Sequence, residues 1–234
     1  MDLTRFEALT FDCYGTLIDW ERGILTALRP WTRRHGVACD DDYLLGRYAA
    51  AEAAAETGAW RPYREVLGTV LETLARDLGA RCDPEERDLL ARSVGDWPPF
   101  PDTVAALASL SKRYRLAIVS NIDDALFVET ANRQLKTRFD QVITAEQVRS
   151  YKPAPAHFHE ALKRLGLDRS KVLHVAQSLY HDIAPARALG LATVWVNRRA
   201  GRAGSGATPP AEAKPDLEVF DLKSLVPLSG LIQV

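Results

Sequence analysis

A short apolar run, residues 8–11, stops at an aspartate, Asp12, and a tight turn through Gly15 leads on to Thr16. Open parallel sheets bind ligands at the C-terminal ends of their strands. A carboxylate placed there confines the chain to a small set of α/β arrangements. Runs 116–120, 172–176 and 192–196 have the same character, and 141–144 is a weaker one. They are short, rich in β-branched residues and nearly continuous in hydrophobicity, as strands covered on both faces are. Helical patterns at 101–113, 124–135, 155–165 and 182–189 separate them, with Gly166 and Gly190 where helix-ending glycines belong. Strands alternating with helices predict βαβ units and a parallel sheet. A Gly-, Ala-, Pro- and Ser-rich stretch, 200–214, reads as a surface loop, and 216–226 returns as a short strand and helix.

Residues 18–97 break the alternation. Amphipathic spacings at 21–35, 41–56, 63–78 and 84–94 predict helices throughout. The expectation is an α/β protein. A Rossmann-like parallel-sheet core, 1–17 and 98–234, carries a helical cap, 18–97, inserted after the first strand. A length of 234 residues with 47% hydrophobic suits one or two domains with a proper core. A net charge of -1, with arginines dispersed among acids, gives no nucleic-acid or membrane surface. No apolar run approaches the roughly 20 residues a bilayer span needs. Three cysteines without metal spacing, and a start lacking a basic-then-apolar pattern, lead us to expect a cytoplasmic protein.

Four spots fall at or just past predicted strand ends: Asp12 with Thr16, Ser120 with Asn121, Lys152, and the loop from Gln177 to Asp182. In a parallel sheet these ends converge on one crevice. Asp12 is a candidate nucleophile, and a nearby lysine would keep it ionised. Each residue alone also has a plainer use. Asp12, Ser120, Asn121 and Asp182 are all good helix or turn caps, and most lysines are solvated. His181 is more simply a surface residue at a helix start, and His174, inside a predicted strand, a packed histidine. The histidines form no metal pattern.

Taken in order, Asp12-Cys13-Tyr14-Gly15-Thr16, Ser120-Asn121, Lys152-Pro153 and the acidic loop ending at Asp182 resemble the haloacid dehalogenase superfamily over nearly the whole chain. Within it the chain looks most like the type II L-2-haloacid dehalogenases. Phosphatases of the superfamily carry a second aspartate two residues after the nucleophile, where Tyr14 stands here, and a phenol is a poor acid at neutral pH. A departing halide needs no proton. Four residues before Asp182, where those phosphatases place a Mg²⁺-holding acid, stands Ser178.

The resemblance implies a metal- and cofactor-free hydrolase acting on a small 2-haloacid. Asp12 would displace halide from C2, and water would then hydrolyse the aspartyl ester. Thr16 and Lys152 would balance Asp12, and Asp182 would orient Lys152 or the water. Ser120 and Lys152, with backbone amides, would hold the substrate carboxylate, with Asn121 helping to shape the pocket and Tyr14 among its substrate-binding residues. Arg47, in the second cap helix, would bind halide. Three positions depart from the dehalogenase pattern. Leu179 stands for a halide-contacting Asn, Gln177 for a Ser, and Phe158 for a Tyr, so Gln177 or His181 is a candidate to supply lost polar function. Two alternatives stay open: a Mg²⁺-dependent phosphatase on a small phosphoester, and a protein that binds a small carboxylate without dehalogenation. Family members are often dimers, which makes a homodimer built on the apolar cap helices an open expectation.

Overall fold

The computed structural model describes residues 1–231; the last three residues of the expected core segment lie outside the described residues. Six parallel strands form one sheet in the order β3-β2-β1-β4-β5-β6. They are β1 (Ala8–Phe11), β2 (Arg115–Ser120), β3 (Gln141–Thr144), β4 (Val172–Ala176), β5 (Ala192–Val196) and β6 (Leu217–Val219). Each strand expected from the sequence is present, and β6 is the short return after the 200–214 loop. β1 lies between β2 and β4, so the strand order reverses across it. Phe11 pairs with Ile118 on one side and Val175 on the other. Asp12, Ser120 and Gln177 therefore leave the sheet close together, at the crevice that such a reversal opens.

Helices cover both faces. Leu9 and Phe11 belong to the larger apolar cluster, and Ala8, Ala117 and Val119 to the other, as strand alternation requires. On the core side these helices are α5 (Thr103–Leu110), α6 (Asp124–Thr130), α7 (Ala145–Val148), α8 (Ala156–Leu165), α9 (Ala184–Ala188) and α10 (Leu225–Leu228). Between β1 and α5 lie α1 (Trp20–Arg34), α2 (Asp41–Ala55), α3 (Tyr63–Asp77) and α4 (Leu89–Ser93). The expected single helix at 84–94 is instead three short turns. Pro84 and the reciprocal Asp83–Glu86 capping box set off a separate first turn, and Val94–Asp96 closes as 3₁₀.

The helical insert is tied to the core through backbone donors. α3 begins after Pro62, which has no side chain to cap it. Its orphan N–H groups at Tyr63 and Arg64 donate instead to the carboxylate of Asp123, 2.7 and 2.9 Å away, in the loop after β2. The Tyr151 hydroxyl donates to the Arg61 carbonyl at 2.8 Å. Both anchors flank the crevice, so α2 and α3 are held over the strand ends. No helix among the described residues is long and apolar enough to cross a membrane.

Candidate active site

The turn after β1 has to double back sharply. Gly15 takes a φ of +93°, and a Cβ there would meet the Trp20 indole at 3.0 Å, so glycine is required on both counts. The turn brings Thr16 back to donate its hydroxyl to Asp12 Oδ2 at 2.7 Å. Thr16 Oγ1 in turn accepts the Gln177 N–H at 2.8 Å, which fixes its rotor.

Lys152 reaches Asp12 from the far side of the crevice. Its ammonium donates to Asp12 Oδ1 (2.9 Å), Asp182 Oδ1 (2.7 Å) and the Val119 carbonyl (2.9 Å). An ammonium has three donors, so all are spent, and Lys152 is 1% exposed. Asp182 Oδ1 also receives His174 Nε2 at 3.0 Å, and His174 Nδ1 meets the Thr10 hydroxyl at 3.0 Å. With Asp182 ionised, Nε2 carries a proton and donates to it. A buried chain Thr10–His174–Asp182–Lys152–Asp12 thus braces the Asp12 carboxylate. Asp182 Oδ2 is buried with no partner among the described residues.

Burial drives Asp182 upward, but Lys152 and His174 outweigh it and hold the carboxyl at about 2. Burial works against the Lys152 charge, yet the two carboxylates hold its pKa above the ordinary lysine value. For Asp12 the net shift is upward: burial raises the pKa most, Lys152 opposes it, the Asp182 charge adds to the rise and Thr16 opposes it. Both Lys152 and Asp182 are shifted toward their charged forms, and Lys152 is the group that counters the rise at Asp12.

A narrow, partly open cleft lies above Asp12. Its floor is Asp12, Tyr14, Ser120, Asn121, Lys152, Gln177, Ser178, His181 and Asp182. Its roof is Trp20, Glu52, Glu56 and Tyr63 from the helical insert, with Thr208 from the late loop. Glu52 Oε1 accepts the Tyr48 hydroxyl at 3.0 Å and the Tyr63 hydroxyl. Burial pushes Glu52 up to about 7; the two phenols pull it down and the Asp12 charge pushes it up. Glu56 is raised well above its ordinary value by burial and then by the Glu52 charge. It receives Asn121 Nδ2 at 3.3 and 3.4 Å and sits 3.9 Å from His181 Nε2. Burial lowers His181 to about 4, so this ring is neutral near pH 7.

Asp12, Thr16, Lys152, Asp182, Ser120, Asn121, Gln177 and Tyr14, all expected from the sequence, are brought together. Several have uses other than those expected. The Asn121 amide is spent on holding the Lys152 backbone N–H at 2.7 Å, the Lys152 carbonyl at 3.1 Å and Glu56. The Tyr14 hydroxyl turns away to Thr130, 2.8 Å distant. Gln177 Oε1 accepts the Thr208 hydroxyl at 3.2 Å.

Arg47 is a correction. It ion-pairs with Asp77 on α3, is 39% exposed at its side chain and lies outside the cleft lining. On α2 the buried stripe runs through Leu44, Leu45, Tyr48, Ala51, Glu52 and Ala55, and Arg47 falls off it. Leu179 is likewise outside this lining and borders a neighbouring groove with Trp195 and Pro209.

Glu52, Glu56, Tyr63 and Trp20 were not anticipated, and neither was the bracing role of His174. One signal was available for Glu52: it stands four residues after Tyr48, on the apolar side of its helix. Phe158 packs its ring against His174 at 5.1 Å, in an edge contact.

The donor set does not fit a divalent metal. The space between Asp12 and Asp182 is taken by the Lys152 ammonium. Ser178 stands in place of a further acid, and no group of three or more His, Cys, Asp or Glu is arranged to hold a metal among the described residues.

Comparison with known proteins matches residues 6–190 to the haloacid dehalogenase-like hydrolase family model. A haloacetate dehalogenase H-2 of Moraxella sp. strain B is 26% identical over 84% of this chain and 88% of its own length. An (S)-2-haloacid dehalogenase of Pseudomonas sp. strain YL is 27% identical over 95% and 94%. Among solved structures, a defluorinating L-2-haloacid dehalogenase superposes with a TM-score of 0.80 at 26% identity, covering 95% of this chain and 94% of the other.

Proposed function

Since the chain belongs to the haloacid dehalogenase-like hydrolases, we propose that it cleaves the carbon–halogen bond of short 2-haloacids through an ester on Asp12. The observation that carries this reading is the clamp on Asp12. One oxygen is held by Lys152 and the other by Thr16, inside a small cleft with no acid at Tyr14 to protonate a leaving alkoxide. The curated relatives named for haloacetate and (S)-2-haloacids support it.

In this mechanism an Asp12 carboxylate oxygen attacks C2 as the halogen leaves with the bonding electron pair. Attack from behind inverts C2. Water then adds to the Asp12 carboxyl carbon, the bond from that carbon to the substrate-bound oxygen breaks, and a 2-hydroxy acid departs. The net reaction consumes one water and releases halide and one proton. Lys152 keeps Asp12 ionised for attack and neutralises the returning carboxylate. Asp182 Oδ2, buried and without a partner among the described residues, is the acceptor we assign to the hydrolytic water. The Ser120 hydroxyl, on the cleft floor, is assigned to the substrate carboxylate. Three free cysteines agree with action in the cytoplasm, and a homodimer is the assembly to look for by sizing.

The phosphatase reading is disfavoured by the residues at the site. Tyr14 stands where a general acid for a leaving alkoxide is needed, and Ser178 where a metal-holding acid is needed. Among the described residues no group of three or more His, Cys, Asp or Glu is arranged to hold Mg²⁺. Halide release from 2-chloropropanoate tests the proposal. Wild type is expected to release chloride without added metal, and Asp12→Asn to lose at least about four orders of magnitude in rate. Activity that requires Mg²⁺ would sink it.

A further inference from the structure

The roof of the cleft is acidic where an anionic substrate calls for positive charge. Glu52 and Glu56 stand one turn apart at the end of α2, an i,i+4 pair whose like charges repel. Both line the cleft facing Asp12, and both are more than nine-tenths buried at the side chain or residue level. Among the described residues Lys152 is the only cationic side chain in the lining, and its three donors go to Asp12, Asp182 and Val119.

Among the described residues neither glutamate has a charged partner. Glu52 Oε1 accepts two phenol hydroxyls, a pattern suited to an ionised oxygen, while Oε2 has no donor among the described residues. Glu56 has two long amide contacts and a neutral imidazole nearby. Buried carboxylates without cations are costly unless protonated or paired. Glu52 Oε2, unpartnered and bordering the space that substrate must enter, is an acceptor that asks for a donor from the ligand.

We propose that Glu52 and Glu56 select a 2-haloacid that carries a protonated amino group close to the reacting carbon, with the ammonium seated between the two carboxylates. The inference rests on Asp12 acting on short 2-haloacids, and it names which of them the cleft takes. A zwitterion brings one positive charge to the acidic roof and one carboxylate to Ser120 on the floor. The net charge it adds to the cleft is zero. A plain 2-haloacid adds a second anion beside Asp12 and leaves the glutamates unpaired.

The test uses the full-length protein and two readouts. Equilibrium binding compares 3-amino-2-hydroxypropanoate with 2-hydroxypropanoate, neither of which has a halogen to lose. The amino compound is expected to bind at least about tenfold tighter to wild type. Glu56→Gln and Glu52→Gln should each remove most of that preference, as loss of a desolvated charge partner does. Halide release then compares 3-amino-2-chloropropanoate with 2-chloropropanoate, with a kcat/KM at least about tenfold higher expected for the amino substrate. Equal or tighter wild-type binding of 2-hydroxypropanoate overturns the proposal whatever the variants do, including where protonated glutamates donate to a plain carboxylate. Halide released equally from both chloroacids with no binding preference overturns the amino selectivity and leaves the dehalogenase reading standing. A binding preference with no halide released from either chloroacid supports the ammonium seat and overturns the chemistry on Asp12.

Discussion

The two walls of the cleft are built on opposite principles. The floor, at the ends of β1, β2 and β4, is a polar network in which the charges are matched. Lys152 answers Asp12 and Asp182, and His174 and Thr10 extend the chain, with Asp182 Oδ2 the one oxygen of the two aspartates left without a partner among the described residues. The roof, on α2 and α3, presents two carboxyl groups held by phenols and an amide, with no cation among the described residues. Satisfied networks rigidify a site, whereas unsatisfied buried groups mark where a ligand completes it. In the proposed function the floor carries the chemistry, and the proposed ammonium seat gives the roof the choice of substrate.

The largest effect should come from breaking the floor. Lys152→Met leaves Asp12 and Asp182 facing one another unneutralised. Removing one partner of a buried ion cluster costs about 3–5 kcal/mol, so denaturant midpoints should fall and halide release should vanish. Adding Asp182→Asn to that variant removes the repulsion and should recover part of the stability. If it recovers none, the two carboxylates are not coupled through Lys152.

The roof should answer to pH in the opposite sense from a salt-bridged acid. Glu52 titrates at about 7 in the folded protein against an ordinary 4.5. The native state therefore binds the proton more tightly than the unfolded chain, and stability falls as pH rises through that window. The full span corresponds to about 3 kcal/mol, with Glu56 adding in the same direction. Glu52→Gln should flatten the slope between pH 5 and pH 8. An unchanged slope would mean Glu52 is not the group that titrates. Asp182, held at about 2, works the other way, and its contribution is lost only as pH falls below about 4.

The smallest effect should be at Arg47. A half-exposed pair with Asp77 contributes about 0–1 kcal/mol, so Arg47→Ala should keep wild-type halide release and nearly wild-type stability. A large loss of activity would return Arg47 to the site.

The same contrast explains what the sequence disclosed. Strand ends announce themselves locally. An apolar run that stops at Asp12, Ser120 or Gln177 places those residues at a crevice by topology alone, and Lys152 follows from its loop at the same sheet edge. The six strands were legible for that reason. A helical insert has no such landmark. Which face of α2 meets the core depends on how α3 is anchored by Asp123, 60 residues away in sequence. Reading α2 by register put Arg47 into the pocket, whereas packing puts Glu52 and Glu56 there and turns Arg47 outward to Asp77. Acids on an alanine-rich helix read as a solvated face. Only Tyr48, one turn before Glu52, hinted otherwise. His174 was legible as buried but not as a brace, because its partner Asp182 reaches it only after the chain turns back beyond β4.

The central claim is that bond breaking runs through an ester on Asp12, and isotope transfer tests it most directly. A single turnover of 2-chloropropanoate with enzyme in excess, run in heavy-oxygen water, is followed by mass spectrometry of the peptide that contains Asp12. Water that attacks the ester carbonyl leaves its oxygen in the enzyme. The account predicts one heavy oxygen in the Asp12 carboxylate and none in the hydroxyl of the released acid. Heavy oxygen in the product hydroxyl with an unlabelled Asp12 would mean that water displaces the halide directly, and would contradict it.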